Sequence, residues 1–244
     1  MPDLAWWLWI VTFATGVIAS AVTTITSIGA GLITYGVLGF FFDLKVIIPF
    51  AALAQLLSVS LRCWLFRRYI RWRLAGYFFL GVFPGVYGGA ALFHVLTELA
   101  LRRALGLFLL GFAAYQFMQG TTVRVAPHLG LLPLAGIVAG ALSGSIGIAG
   151  PMLAVVFLRY SLLKEELVAM VSLFFFVSNA QRTLLYWQQE ALTGASVTLA
   201  CVLGLAMLAG VYLGRLLLPY VSRELFVKLV LGMLVVFGVQ FLFW

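Results

Sequence analysis

The chain has 244 residues, 64% of them hydrophobic and only 9% charged, with 15 basic and 7 acidic side chains. A soluble domain carries roughly 45–50% apolar and about 25% charged residues, so too few charges are present to cover a surface that faces water. This excludes a cytosolic enzyme, a disordered protein and a nucleic-acid binder, and makes lipid the solvent around most of the chain.

The net charge of +8 and the pI near 9.9 do not point to nucleic acid, because the basic residues lie between long apolar runs. That is how cytoplasmic loops facing an anionic leaflet are composed. Cys63 and Cys201 both fall inside apolar runs, and neither their spacing nor their context suggests a metal site or a disulfide framework. The N-terminus lacks a basic stretch, and its apolar run continues too far for a cleavable signal peptide.

In chain order, residues 4–42 carry no charge, and neither do 74–97, 104–123, 125–158, 191–214 and 229–244. A span needs about 20 apolar residues. One helix each is therefore predicted over 74–97, 104–123 and 191–214. The same holds for 46–66 and 226–244 if Arg62 and Lys228 lie near an interface. The run 125–158 would be about 50 Å long as one helix, at 1.5 Å per residue, which exceeds a hydrocarbon core of about 30 Å. Its middle reads Ser143-Gly144-Ser145-Ile146-Gly147-Ile148-Ala149-Gly150-Pro151, and glycine and proline break helices. The run 4–42 has a similar break at Thr26-Ser27-Ile28-Gly29-Ala30-Gly31. Each run is predicted to be a helix that enters, unwinds near the midplane and returns as a shorter piece. Irregular backbone at that depth must be buried in protein or line a cavity.

The two halves resemble each other. An offset of 120 places Ser27–Gly31 on Gly147–Pro151, Ser58 on Ser178, and Arg62 on Arg182. With small insertions, Gly85-Val86-Tyr87-Gly88-Gly89 falls on Gly210-Val211-Tyr212-Leu213-Gly214, Glu98-Leu99 on Glu224-Leu225, and Leu105-Gly106 on Leu231-Gly232. The expected fold is an all-α polytopic membrane protein with two repeats, 1–120 and 121–244. Each is a broken, re-entrant-like helical hairpin followed by three transmembrane helices. If each hairpin returns to its own side, the second repeat is inverted. All 15 basic residues then lie inside except Lys45, Arg102, Arg103 and Arg182. Counting each hairpin as one crossing makes the repeats parallel and leaves 7 inside against 8 outside. The positive-inside rule selects the inverted arrangement, with Arg102 and Arg103 its awkward members. Most of the seven tryptophans fall at run ends, as an aromatic belt requires.

Inverted repeats with discontinuous helices are a transporter architecture, in which half-helix N-termini aim backbone N–H groups at an anion. The candidate substrate-binding residues are Ser27, Ile28, Gly29, Ala30, Gly31, Ser145, Gly147, Ile148, Ala149 and Gly150. The glycines would let backbone approach the ligand, and Ser27, Ser143 and Ser145 would add hydroxyls. The bland alternative is that small residues only permit tight helix packing. Arg62 and Arg182, some four turns into apolar segments, are candidates for an anion path or gate, against snorkelling to the interface. Gln55, Ser58, Ser178, Asn179 and Gln181 lie on the same two helices as path residues or as interhelical glue. His94 and His128 read as interfacial.

No carboxylate sits mid-span, so neither a proton relay of carboxylates nor a cation site is supported. No metal or cofactor is expected. A paired-Asp protease is excluded, and Ser143 lacks both a Gly-x-Ser-Gly context and a later histidine. Nothing resembles a Walker A loop.

The paired Gly-rich breaks at Ser27–Gly31 and Gly144–Pro151, with Val171-Ser172-Leu173 after the second, resemble the TauE/SafE sulfite-exporter family, also called the toluenesulfonate uptake permease family. The second break is similar to the family's s-G-l-l-G-i-G-G-G-p run, shortened by one glycine and with Ala149 in place of another. The resemblance implies transport of sulfite, sulfonates or related anions across the bacterial inner membrane. The partners implied are a small anion and the bilayer, and the oligomeric state stays open, a homodimer included. The alternative is a non-transporting scaffold or assembly subunit.

Overall fold

The computed structural model describes residues 6–26, 29–119, 128–158, 160, 162–192, 194–217, 220, 232 and 235–243. Nine α-helices run through most of them: α1 (Trp6–Thr26), α2 (Ala30–Leu38), α3 (Leu44–Phe66), α4 (Trp72–Val95), α5 (Glu98–Gln119), α6 (Leu132–Ile146), α7 (Gly150–Leu158), α8 (Lys164–Gln188) and α9 (Gly194–Leu217). Residues 235–243 are also helical. Six helices are long and apolar enough to cross a membrane: α1, α3, α4, α6 with the turn before it, α8 and α9. The chain is thus an all-helical, multi-pass membrane protein. Large apolar side chains such as Ile10, Leu80, Leu107 and Leu205 are exposed, as lipid-facing positions should be.

Both expected breaks are present. α1 ends at Thr26 and α2 starts at Ala30, after Gly29 at φ 127°. α6 ends at Ile146, its carbonyls closed off by Gly147 at φ 75°, and α7 starts at Gly150. Gly147 N–H donates to Ser143 O at 3.0 Å, the bond that an αL cap makes to an otherwise orphaned carbonyl. Each break is followed by a nine-residue half-helix. Ser27 and Ile28 lie outside the described residues.

Helix order repeats in the two halves, and the packing is reciprocal. α1 packs along α9, α6 packs along α4, and α3 packs against α8. Exchanging the halves turns the first pair into the second and maps the third onto itself. The contact surfaces are built alike. Gly81, Gly85 and Gly89 on α4 lie against the backbone of Pro133, Ile137 and Ala141 on α6, while Gly136, Gly140 and Gly144 lie against Phe78, Val82 and Val86. On the other pair, Gly210 and Gly214 of α9 lie against Val17 and Ala21 of α1, and Gly16 lies against Leu203 and Ala206. The stripe Gly16, Ser20, Thr24 is the 120-residue counterpart of Gly136, Gly140, Gly144. Small residues four apart let two helices approach until their backbones touch, which is what drives association where lipid removes the hydrophobic advantage.

Two glutamates tie helix starts to other elements. Glu98 accepts from the N–H groups of Leu44 (2.9 Å) and Lys45 (3.2 Å) at the start of α3, and from Arg102 Nε at 2.8 Å. Glu166 accepts from Leu163 N–H (3.0 Å) at the start of α8, and from both Nε and Nη2 of Arg71 at 2.8 and 3.0 Å. The hydrogen bonds and charge of Glu166 hold the Arg71 guanidinium above its ordinary pKa. Negative charge at a helix start also complements the macrodipole.

Replacing Gly85 by valine should push its side chain into the Ile137 carbonyl and cost about 3 kcal/mol by overpacking. Gly88→Val, at a position with open space beside it, should leave stability within about 1 kcal/mol. Thermal unfolding of the two variants in detergent compares them.

Candidate functional site

The two breaks meet. Gly29, Ala30, Gly31 and Leu32 from the first, and Gly147, Ile148 and Gly150 from the second, line one small cavity of about 20 Å³. Thr23, Gln55, Arg62 and Phe175 complete its wall. A space of this size holds about one water-sized group. Gln55 and Phe175 are partners at the 120-residue offset, so the long helix of each half contributes an equivalent position. Most of the substrate-binding residues expected from sequence therefore share one cavity, together with the path residues Gln55 and Arg62.

The arginines decide the character of the site. Arg62 is 2% exposed and Arg182 is 0% exposed, so neither guanidinium snorkels to an interface. Arg182, expected from charge counting on the outer side, is carried by α8 into the protein interior. Among the described residues the only ion pairs are Arg71–Glu166 and Arg102–Glu98, so neither buried arginine has a carboxylate partner. Arg62 Nε, Arg182 Nε and Arg182 Nη2 have no hydrogen-bond partner. Arg182 Nη1 donates to Asn179 Oδ1 at 3.1 Å, and its guanidinium lies 5.6 Å from the centre of the Tyr186 ring. Tyr186 is itself fixed by donating to Gly144 O at 2.9 Å.

Arg182 does not line the cavity but flanks it across Gly147. A methyl placed on Gly147 would meet Arg182 Nη2 at 2.9 Å and the Tyr35 hydroxyl as well. Tyr35, on half-helix α2, is fully buried, and its hydroxyl is unpartnered. Sequence reasoning missed Tyr35. A tyrosine on an apolar half-helix gives no signal until the fold places it beside an arginine 147 positions later. Gln55 Nε2 and Asn179 Nδ2 are also buried without partners. Around the breaks the unpartnered side-chain atoms of Arg62, Arg182, Gln55 and Asn179 are hydrogen-bond donors, and the Tyr35 hydroxyl, which can accept as well as donate, faces Arg182.

Other expected residues play structural parts. Ser145 donates to Ala141 O at 2.7 Å and Ser58 to Gln55 O at 3.1 Å, each within its own helix. Ser178 accepts from Ser143 at 3.2 Å, joining α8 to α6. Gln181 donates to Phe83 O at 2.8 Å and so bridges to α4. Ala149 is buried in the second break but outside the cavity wall. His94 pairs with Gln189 at an exposed position, and His128 is exposed.

A family model for the sulfite exporter TauE/SafE matches residues 12–241. The chain belongs to the TauE/SafE family. No curated protein and no solved structure matches it significantly. Membership makes it a member of a family of membrane transporters of the sulfite-exporter type, and the match runs through both halves and both breaks.

Gly147→Ala should cost about 1–2 kcal/mol from the left-handed backbone alone. Its methyl also displaces Tyr35 and Arg182. A melting point lowered by several degrees in detergent is the expected readout.

Proposed function

We propose that the chain is a secondary transporter that moves a small sulfur-containing or organic anion across the bacterial inner membrane. The anion binds between the two Gly-rich breaks, where each half contributes a break, a half-helix and an arginine. The repeats are inverted, so the site lies near the midplane and the halves can rock about it. The observation that carries this reading is the set of unpartnered donors on Arg62, Arg182, Gln55, Asn179 and Tyr35.

A buried charge with no partner costs several kcal/mol, and a buried polar group with no hydrogen bond costs about 1–3 kcal/mol. A fold that keeps five such side chains in one region gains nothing from them in stability. An oxyanion would satisfy them, since guanidinium N–H groups bond well to oxyanions. The N-terminal N–H groups of the half-helices add to this. Gly29 and Gly31 present backbone at the cavity wall because they have no side chain to block it. A scaffold protein needs tight packing between its helices, which the α4–α6 and α1–α9 contacts supply, but it has no use for unpaired buried guanidiniums.

Gly29→Val combined with Gly150→Val should lower sulfite flux into proteoliposomes by at least about tenfold, with the protein still monodisperse and folded. Unchanged flux in the folded double variant would sink the assignment of the site. An unmodified protein that carries no anion at all would favour the scaffold reading.

A further inference from the structure

The charge at the site is as informative as its donors. Two guanidiniums are buried, Arg62 on the cavity wall and Arg182 across Gly147 from it. Among the described residues no aspartate or glutamate is buried. Glu98 and Glu166, at the starts of α5 and α8, are taken up by Arg102 and Arg71. The groups that face Arg182 are Asn179, Tyr35 and Tyr186, none of which is a carboxylate. The interior around the breaks therefore holds two fixed positive charges and no fixed negative one.

Building on the transport reading above, we infer that the site selects a divalent oxyanion over a monovalent one of the same shape. A monovalent anion leaves one guanidinium uncompensated in an interior with no buried carboxylate among the described residues, where an unpaired charge is costly. A divalent anion neutralises both. Arg62 meets the anion on the cavity wall, while Arg182, behind Gly147, contributes its charge at short range. The unpartnered Gln55 Nε2, on the cavity wall with Arg62, adds a donor to the same anion. Selectivity by charge then follows from an imbalance built into the protein rather than from any contact to a particular atom of the substrate.

Sulfate and methanesulfonate test this, because they are nearly alike in size and differ by one charge. Binding of each to the purified, detergent-solubilised protein by calorimetry should favour sulfate by at least about tenfold. Thiosulfate should side with sulfate, and nitrate with methanesulfonate. In Arg182→Gln, and separately in Arg62→Gln, the ratio should fall to about threefold or less, because one positive charge remains and a monovalent ligand balances it. Arg62→Lys keeps the charge and should retain the preference. Equal binding of sulfate and methanesulfonate by the unmodified protein overturns the inference and leaves the transport reading standing. So does a ratio unchanged in both folded glutamine variants. Failure to bind any of the four anions overturns both.

Discussion

A helix interrupted inside protein must have its freed backbone groups satisfied there, and the rest of this structure depends on how that demand is met. Each orphaned N–H or C=O left in hydrocarbon costs several kcal/mol. The two breaks are tolerable because they are placed against each other, inside protein, where Gly147 closes off α6 and the half-helices α2 and α7 restart at once. Four surrounding helices must then be drawn tightly around them. The small-residue stripes on α4, α6, α1 and α9 do this by bringing backbones into contact, and α3 and α8 cross the centre with the arginines. The starts of α3 and α8 are in turn held by Glu98 and Glu166. Each level of the architecture serves to keep a pair of interrupted helices dry.

The same arrangement leaves the donors without acceptors. Helix ends satisfied by glycine caps and serines bonded within their own helices have their needs met locally, and they would be present in any well-packed membrane protein. Arg62, Arg182, Tyr35, Gln55 and Asn179 differ because each has a buried polar side-chain atom with no partner. Native interiors rarely hold many such groups together without a use for them. The distinction also separates Ser58, Ser143 and Ser145, whose hydroxyls donate to neighbours, from the two buried arginines.

Much of this was legible in the sequence, for reasons that can be traced to particular residues. Run lengths located the spans because the bilayer fixes how many apolar residues a helix must have. The breaks at Gly29 and Gly147 were visible because an uncharged run of 34 residues, 125–158, fits neither one span nor two. The match of Arg62 to Arg182 followed from the offset alone. What stayed hidden was set by three-dimensional partnership. Gly16, Ser20 and Thr24 look like ordinary apolar-helix residues until α9 lies against them. The fate of Arg182 was misjudged because charge counting assigns each residue to a side of the membrane and has no category for a charge kept inside. Tyr35 was invisible for a similar reason, since its meaning depends on Gly147 and Arg182, which arrive from the other half of the chain.

The asymmetry between the halves adds a final point. The arginines are equivalent in sequence, yet only Arg62 lines the cavity, while Arg182 is held by Asn179 and stacked toward Tyr186 behind Gly147. The positions paired with Gln55 and Tyr35 are Phe175 and Val155, and the position paired with Asn179 is Val59, so each half carries polar donors that the other lacks. The repeat supplies a frame with two matching charges, and divergence between the copies then gives one arginine an open wall and the other a packed setting. The two copies of one charge thus come to sit in different surroundings, one on a cavity wall and one packed among side chains.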